Sequence, residues 1–206
     1  MNTAETKVQK QVGNRLKANM ILACVSTMNT IQYVDASPKM VFRTDDLTDH
    51  VTASSNRQTF IMRWNPKLSP HKTADFECAM MGLQDENIKY DWNIYDYTHV
   101  HVGDIFYMLR VGTGNTGIVM RGTIIGEPYK DEDWSGKGRD VRYVSMEPEC
   151  MIHPNKAKKL LTTQELDVAI PGVNWNEGHS GVLLTSEQAE KLEIVWSEYL
   201  SSLGSH

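Results

Sequence analysis

Two loops in this sequence gather residue types that can grip a nucleotide. Trp134-Ser135-Gly136-Lys137-Gly138-Arg139 sets a tryptophan beside two cations and two glycines, and Arg142 adds a third cation just beyond. Bases stack on aromatic faces and guanidinium planes, while phosphates take lysine, arginine and exposed glycine amides. A plainer reading has Trp134 plugging the core and the loop crossing through solvent, and the residues leave both readings open. Asn174-Trp175-Asn176-Glu177-Gly178-His179-Ser180-Gly181 is the second loop. Its Asn and Ser side chains can read a base edge and His179 can stack or donate. Trp175 itself is expected in the core, because large aromatics dominate burial in small domains. Trp64-Asn65 forms a third candidate, at the end of a strand-like run whose last side chain can face a pocket mouth.

Three other patterns carry less. Gly112-Thr113-Gly114-Asn115-Thr116-Gly117 matches G-x-G-x-x-G, and Asp131 stands near the distance of a ribose-binding acid. The motif works where its third glycine opens a helix that receives a pyrophosphate, whereas Ile118-Val119-Met120 begins a strand; a hairpin turn is therefore expected. His99-x-His101 with Asp104 lacks further ligands at a telling spacing, so neither a metal nor a cofactor is expected. Cys24, Cys78 and Cys150 are scattered and odd in number, with no C-x-x-C spacing, which predicts reduced thiols in place of a disulfide framework or structural zinc.

The elements that must position these loops are legible from periodicity. Thr59 to Trp64 reads as a strand closed by Asn65-Pro66, and Pro70 to Leu83 as a helix whose Phe76, Ala79, Met80 and Leu83 share one face. Tyr90 to Tyr97 is extended or irregular. The Gly103-Asp104 turn leads into a buried strand, Ile105 to Val111, which pairs as a hairpin with Ile118 to Ile125. Arg142 to Met146 alternates like a further strand. Thr162-x-x-Glu165 and Thr185-x-x-Gln188 are capping boxes, the second opening a helix with Ala189, Leu192, Val195, Trp196 and Tyr199 at helical spacing. Strands joined by short turns, with helices near each end, predict an α+β domain over residues 59–203. Residues 1–58 are rich in Thr, Asn, Ser and Gln and read as an N-terminal extension, with a helix over Lys7 to Val25, a short strand over Lys39 to Arg43 and a boundary near Asn56.

Composition narrows the function classes. The 206 residues are 40% hydrophobic and 23% charged, which suits a globular fold, and a net charge of -5 argues against indiscriminate binding to phosphates. The longest apolar patch, Met20 to Val25, falls far short of the roughly 18 residues that span a bilayer, so no membrane partner and a cytoplasmic location are expected.

The strand Phe60 to Trp64 with Asn65-Pro66, the Gly103-Asp104 turn before a buried strand, the Gly117 to Gly126 strand followed by Glu127-Pro128-Tyr129, and Ser180 ahead of a capped final helix together resemble the PUA-like superfamily, nearest the EVE domains. The resemblance implies a small, twisted, mostly antiparallel β-barrel with flanking helices that binds DNA or RNA. The EVE branch and its YTH relatives are associated with modified bases held in an aromatic cage, which would here draw on Trp64, Asn65, Trp134 and Trp175, with Ser180 as a polar reader. A non-catalytic nucleic-acid-binding module is thus expected. The related ASCH branch includes amidohydrolases and offers the alternative of a small hydrolase using Lys137, Glu127 and Thr123, although a lysine between glycines in a polar loop is placed poorly to act as a base. A protein-interaction module is the third reading.

Overall fold

The computed structural model describes residues 40–42, 57–83, 88–157 and 159–204. Its elements run β1 (Met40–Phe42), β2 (Thr59–Trp64), α1 (Thr73–Gly82), β3 (Tyr90–Ile94), a 3-10 turn at Tyr97–His99, β4 (Ile105–Arg110), β5 (Gly117–Ile124), β6 (Tyr129–Asp131), β7 (Val141–Ile152), α2 (Thr163–Ala169), β8 (Val182–Leu183) and α3 (Ser186–Gly204). The expected helix over residues 7–25, Cys24 and the turn chemistry around Asn56 lie outside the described residues.

All eight strands form a single curled sheet, antiparallel except for one pair. β2 and β4 run parallel, Thr59 against Ile105 through Trp64 against Arg110, because α1 and β3 intervene and return the chain to its starting end. The 12-residue β7 serves four partners. Its first half pairs with β3 on one side and β6 on the other, and its second half with β5 and β1. The sheet closes on itself where Tyr95 and Asp96, just past β3, donate to the Ser180 and Gly181 carbonyls at 2.9 and 3.0 Å, while the Gly181 amide donates to Ile61 on β2. This is the α+β class and the small, mostly antiparallel barrel with flanking helices expected from the sequence.

The strand expected at residues 39–43 is present as Met40–Phe42, and it joins the barrel by pairing with Cys150–Ile152 of β7; Val41 is buried there. The sheet thus takes in three residues from ahead of Asn56. β7 is longer than the alternation of residues 142–146 suggested, because Pro148 interrupts the pattern. Proline cannot donate to a ladder, and here it sits where the β5–β7 register shifts between Arg121 and Gly122, so the strand passes through a bulge and continues. Gly122 makes this possible: a Cβ there would lie 2.1 Å from the Glu147 carbonyl oxygen.

Apolar side chains fill the barrel and both flanks. The α1 face holds Phe76, Ala79, Met80 and Leu83, all buried as the spacing required. On the other side α3 docks through Leu192 and Trp196, the latter edge-on to Tyr107. That contact also holds a polar knot, in which the Tyr107 hydroxyl donates to Glu193 and Arg121 pairs with both Glu149 and Glu193. Both capping boxes are formed. Of the cysteines, Cys150 is a free, buried thiol, whereas Cys78 on α1 is disulfide-bonded, which corrects the expectation of reduced thiols.

Candidate nucleic-acid interface

The Trp134 loop is built around an anion. The Asp133 carboxylate accepts hydrogen bonds from the Ser135 amide and hydroxyl and from the Arg139 amide, Nε and Nη2. The Arg139 guanidinium, with Ser135 behind it, holds the Asp133 carboxyl well below the usual carboxylate range. Arg142 pairs with Asp140 and lies over the Tyr97 ring, 5.2 Å from its centroid, while Lys130 pairs with the same Asp140. An open depression of about 630 Å³ beside the loop is lined by Asp131, Glu132, Asp133 and Asp140 against Lys130 and Arg139. Its excess of carboxylates disfavours a phosphate. Ser135, Arg139 and Arg142, expected as ligand contacts, are each engaged in part by the chain itself, Ser135 and Arg139 through Asp133 and Arg142 through Asp140. Gly136 and Gly138 take positive φ to turn the loop, and Lys137 is exposed with no ion pair among the described residues. Trp134 does not plug the core. It is 44% exposed, with its amide donating to the Tyr143 hydroxyl, and presents a free stacking surface.

Trp64 and Trp175 are both 0% exposed, so neither joins Trp134 in an open cage. Trp64 stacks on Phe76, 4.9 Å between centroids at 9°, and its Nε1 donates to the His71 carbonyl. Trp175 donates to the Ile170 carbonyl, in the core position its size suggested. Asn65 serves a turn: its Oδ1 accepts from the Lys67 amide, and its carbonyl from Leu68 and Ser69. Ser180 is buried, with its hydroxyl accepting from the Arg63 amide at 3.0 Å and Trp92 Nε1 at 3.1 Å and facing Met62 Sδ. It has no capacity left to read a base.

The geometry instead brings together residues at the seam where the sheet closes. Arg63, near the end of β2, donates through Nη1 to the His179 carbonyl and through Nη2 to the Asn174 carbonyl. Its Nε is buried without a partner, and no carboxylate pairs with it among the described residues. Burial pulls its pKa below the ordinary value, but a guanidinium remains charged at neutral pH. Beside it the Tyr95 ring, 57% exposed, stacks on His179 at 4.1 Å and 5°. Inward from the Ser180 hydroxyl, half-buried Trp92 meets His71 edge-on at 6.2 Å, and His71 meets Tyr90 at 5.2 Å. His71 Nε2 and the Tyr90 hydroxyl are buried without partners, and burial lowers the His71 pKa to about 4.

His179 is the expected residue that this seam retains. Arg63, Trp92 and Tyr95 are additions, unmarked in sequence because they sit on strands or strand ends far apart in the chain. Only the pairing of residues 95–96 with 180–181 brings them together. For the hydrolase alternative, the Thr123 hydroxyl is committed to Glu149, and Lys137 stands exposed in the Trp134 loop. His99 and His101 are exposed, and no group of three potential metal ligands occurs among the described residues.

No family model matches the chain, and no curated protein matches it. Among solved structures, a hypothetical protein from Leishmania major has the same fold at 12% identity and a TM-score of 0.51, covering 70% of this chain and 98% of that one. Human THYN1 protein in complex with 5-methylcytosine-containing DNA gives a TM-score of 0.49 at 12% identity, covering 67% of this chain and 96% of that one. An Mmi1 YTH domain in complex with RNA gives 0.40 at 9% identity, covering 71% and 82%.

Proposed function

We propose that this chain is an EVE-type, non-catalytic nucleic-acid-binding module that takes a single, modified base against the aromatic seam of Tyr95, His179 and Trp92. The observation that carries the reading is the Arg63 guanidinium, unpaired with any carboxylate among the described residues and set beside an exposed, stacked Tyr95–His179 pair. A cation at this place attracts a phosphodiester, and the ring pair extends a flat surface on which a base can stack. Trp134 is a further ring exposed to solvent. Human THYN1 is in complex with methylated DNA; for this chain the reading rests on its own residues.

The test is binding of fluorescent DNA and RNA oligonucleotides bearing plain, 5-methylated and 5-hydroxymethylated cytosine, at moderate salt. A preference for one modified base is expected. Tyr95→Ala should weaken binding by about 1–3 kcal/mol, roughly 5- to 150-fold, as removal of a base-stacking ring does. Arg63→Met should reduce the dependence of affinity on salt by about one released counterion. Equal and negligible binding of every oligonucleotide would sink the proposal.

A further inference from the structure

Arginines built into the barrel wall differ in how their charge is met. Arg121 is held by two carboxylates and Arg142 by one, but Arg110, at the end of β4, pairs with none among the described residues. It is only 8% exposed. Its Nη1 donates to the Asn115 carbonyl, and its Nε is buried without a partner. A guanidinium taken out of water without a counter-charge is costly, and an unsatisfied group of this kind calls for a missing partner.

The Gly112–Thr116 turn folds over this cation. Gly114 has φ +93°, and a Cβ there would stand 3.1 Å from Arg110 Nη2, so only glycine lets the backbone lie this close. None of the amides from Gly112 to Thr116 donates to a backbone carbonyl among the described residues. The turn is fixed from both sides, by the Asn65 side chain against Gly112 and by Asn115 Nδ2 donating to the Pro154 carbonyl. Lys67 and Lys156, two residues beyond these anchors, have no carboxylate partner among the described residues. Unpaired amides in a glycine turn above a buried cation have the form of an anion-binding nest. The arrangement is separate from the seam. Trp64 lies level with Arg110 in the β2–β4 ladder, and neighbouring Arg63 therefore leaves the opposite face of the sheet.

We propose that Arg110 and the Gly112–Asn115 amides form a phosphate-binding site that holds one phosphate group, a free monoester or a nucleic-acid diester. This ligand supplies the charge that Arg110 lacks and the acceptors that the turn amides lack. The site stands whether or not the seam binds a base.

Amide NMR of the full chain, titrated at constant ionic strength first with inorganic phosphate and then with a dinucleotide containing one phosphodiester, tests the proposal. The Gly112, Gly114 and Asn115 amides should shift and saturate. Saturation with inorganic phosphate identifies a free phosphate as the ligand, and a response to the dinucleotide alone identifies a backbone phosphate; either supports the site. Arg110→Met should weaken the response at least tenfold, and Lys130→Met, which removes a cation paired with Asp140 at the Trp134 loop, should leave it unchanged. If Arg110→Met does not fold, Gly114→Ala, at an exposed turn, crowds Nη2 and should weaken binding in its place. Silent turn amides in both titrations, or equal dissociation constants for the wild type and the folded Arg110 or Gly114 variant, would overturn the proposal.

Discussion

Acidification should destabilise this barrel through His71. In the unfolded chain a histidine titrates near 6.5, whereas burial lowers His71 to about 4 in the fold, with Asp75 opposing the effect only in part. Above pH 6.5 the imidazole is neutral in both states and costs nothing. Between the two values the unfolded chain takes a proton that the fold refuses, so stability falls by about 1.4 kcal/mol per pH unit, or about 3 kcal/mol in all. Below about 4 both states are protonated and the loss levels off. His71→Phe keeps a ring against Trp64 and Tyr90 and removes the titration. Urea unfolding of both proteins at intervals from pH 7.5 to 4 isolates the effect, because other groups, buried His153 included, contribute to both curves. The wild type should lose about 3 kcal/mol more than the variant over this range. Parallel stability curves, or an imidazole that titrates near 6.5 by NMR in the folded protein, would refute the reasoning.

Three further outcomes follow from the packing. Gly181→Ala places a methyl 2.4 Å from Ile94 Cγ1 at φ +75°, and should part the seam, seen as lost hydrogen-exchange protection at the Tyr95 and Asp96 amides; unchanged protection would count against closure at this point. Val41→Ala strips the apolar contact that β1 makes at the outer edge of Cys150–Ile152 and leaves every cysteine in place. The melting temperature should fall by roughly 3–10 °C by calorimetry, and an unchanged value would show that this contact adds nothing. Asp133→Asn should loosen the Trp134 loop at neutral pH, read as raised protease sensitivity between Asp133 and Arg139. Because the folded carboxyl lies below its unfolded value, the contrast with wild type should persist above about pH 4 and fade under stronger acid.

Local signals in the sequence carried most of the elements. The run Thr59 to Trp64, the glycine hairpin and the two capping boxes each state their structure within a few residues, and each formed as expected. The β6 strand and the far half of β7 were hidden, the first inside a charged stretch and the second behind Pro148, whose bulge depends on a glycine in another strand. For the site, aromatic type did not reveal exposure. Trp64, Trp134 and Trp175 look alike in sequence, but α1 covers the first, the core takes the third, and only Trp134 meets solvent. Charge misled in the same way. The sequence Asp131-Glu132-Asp133 lies beside the cations of the Trp134 loop, yet that Asp133 and Asp140 would neutralise Arg139 and Arg142 required the loop's folded path. Arg63, which pairs with no carboxylate among the described residues, sits in an otherwise apolar strand, where sequence pattern gives a lone cation no mark.

The closure of the sheet between Asp96 and Gly181 also bears on how the chain is made. A ribosome releases β2 and β4 early, but β7 follows only by residue 152, and the residues that complete the ring by 181. Until then the nascent chain carries open strand edges, since partners so distant in sequence make closure a late event. Vectorial synthesis should therefore leave the sheet open until residues 180–181 emerge, with the capped C-terminal helix docking only after the ring has closed.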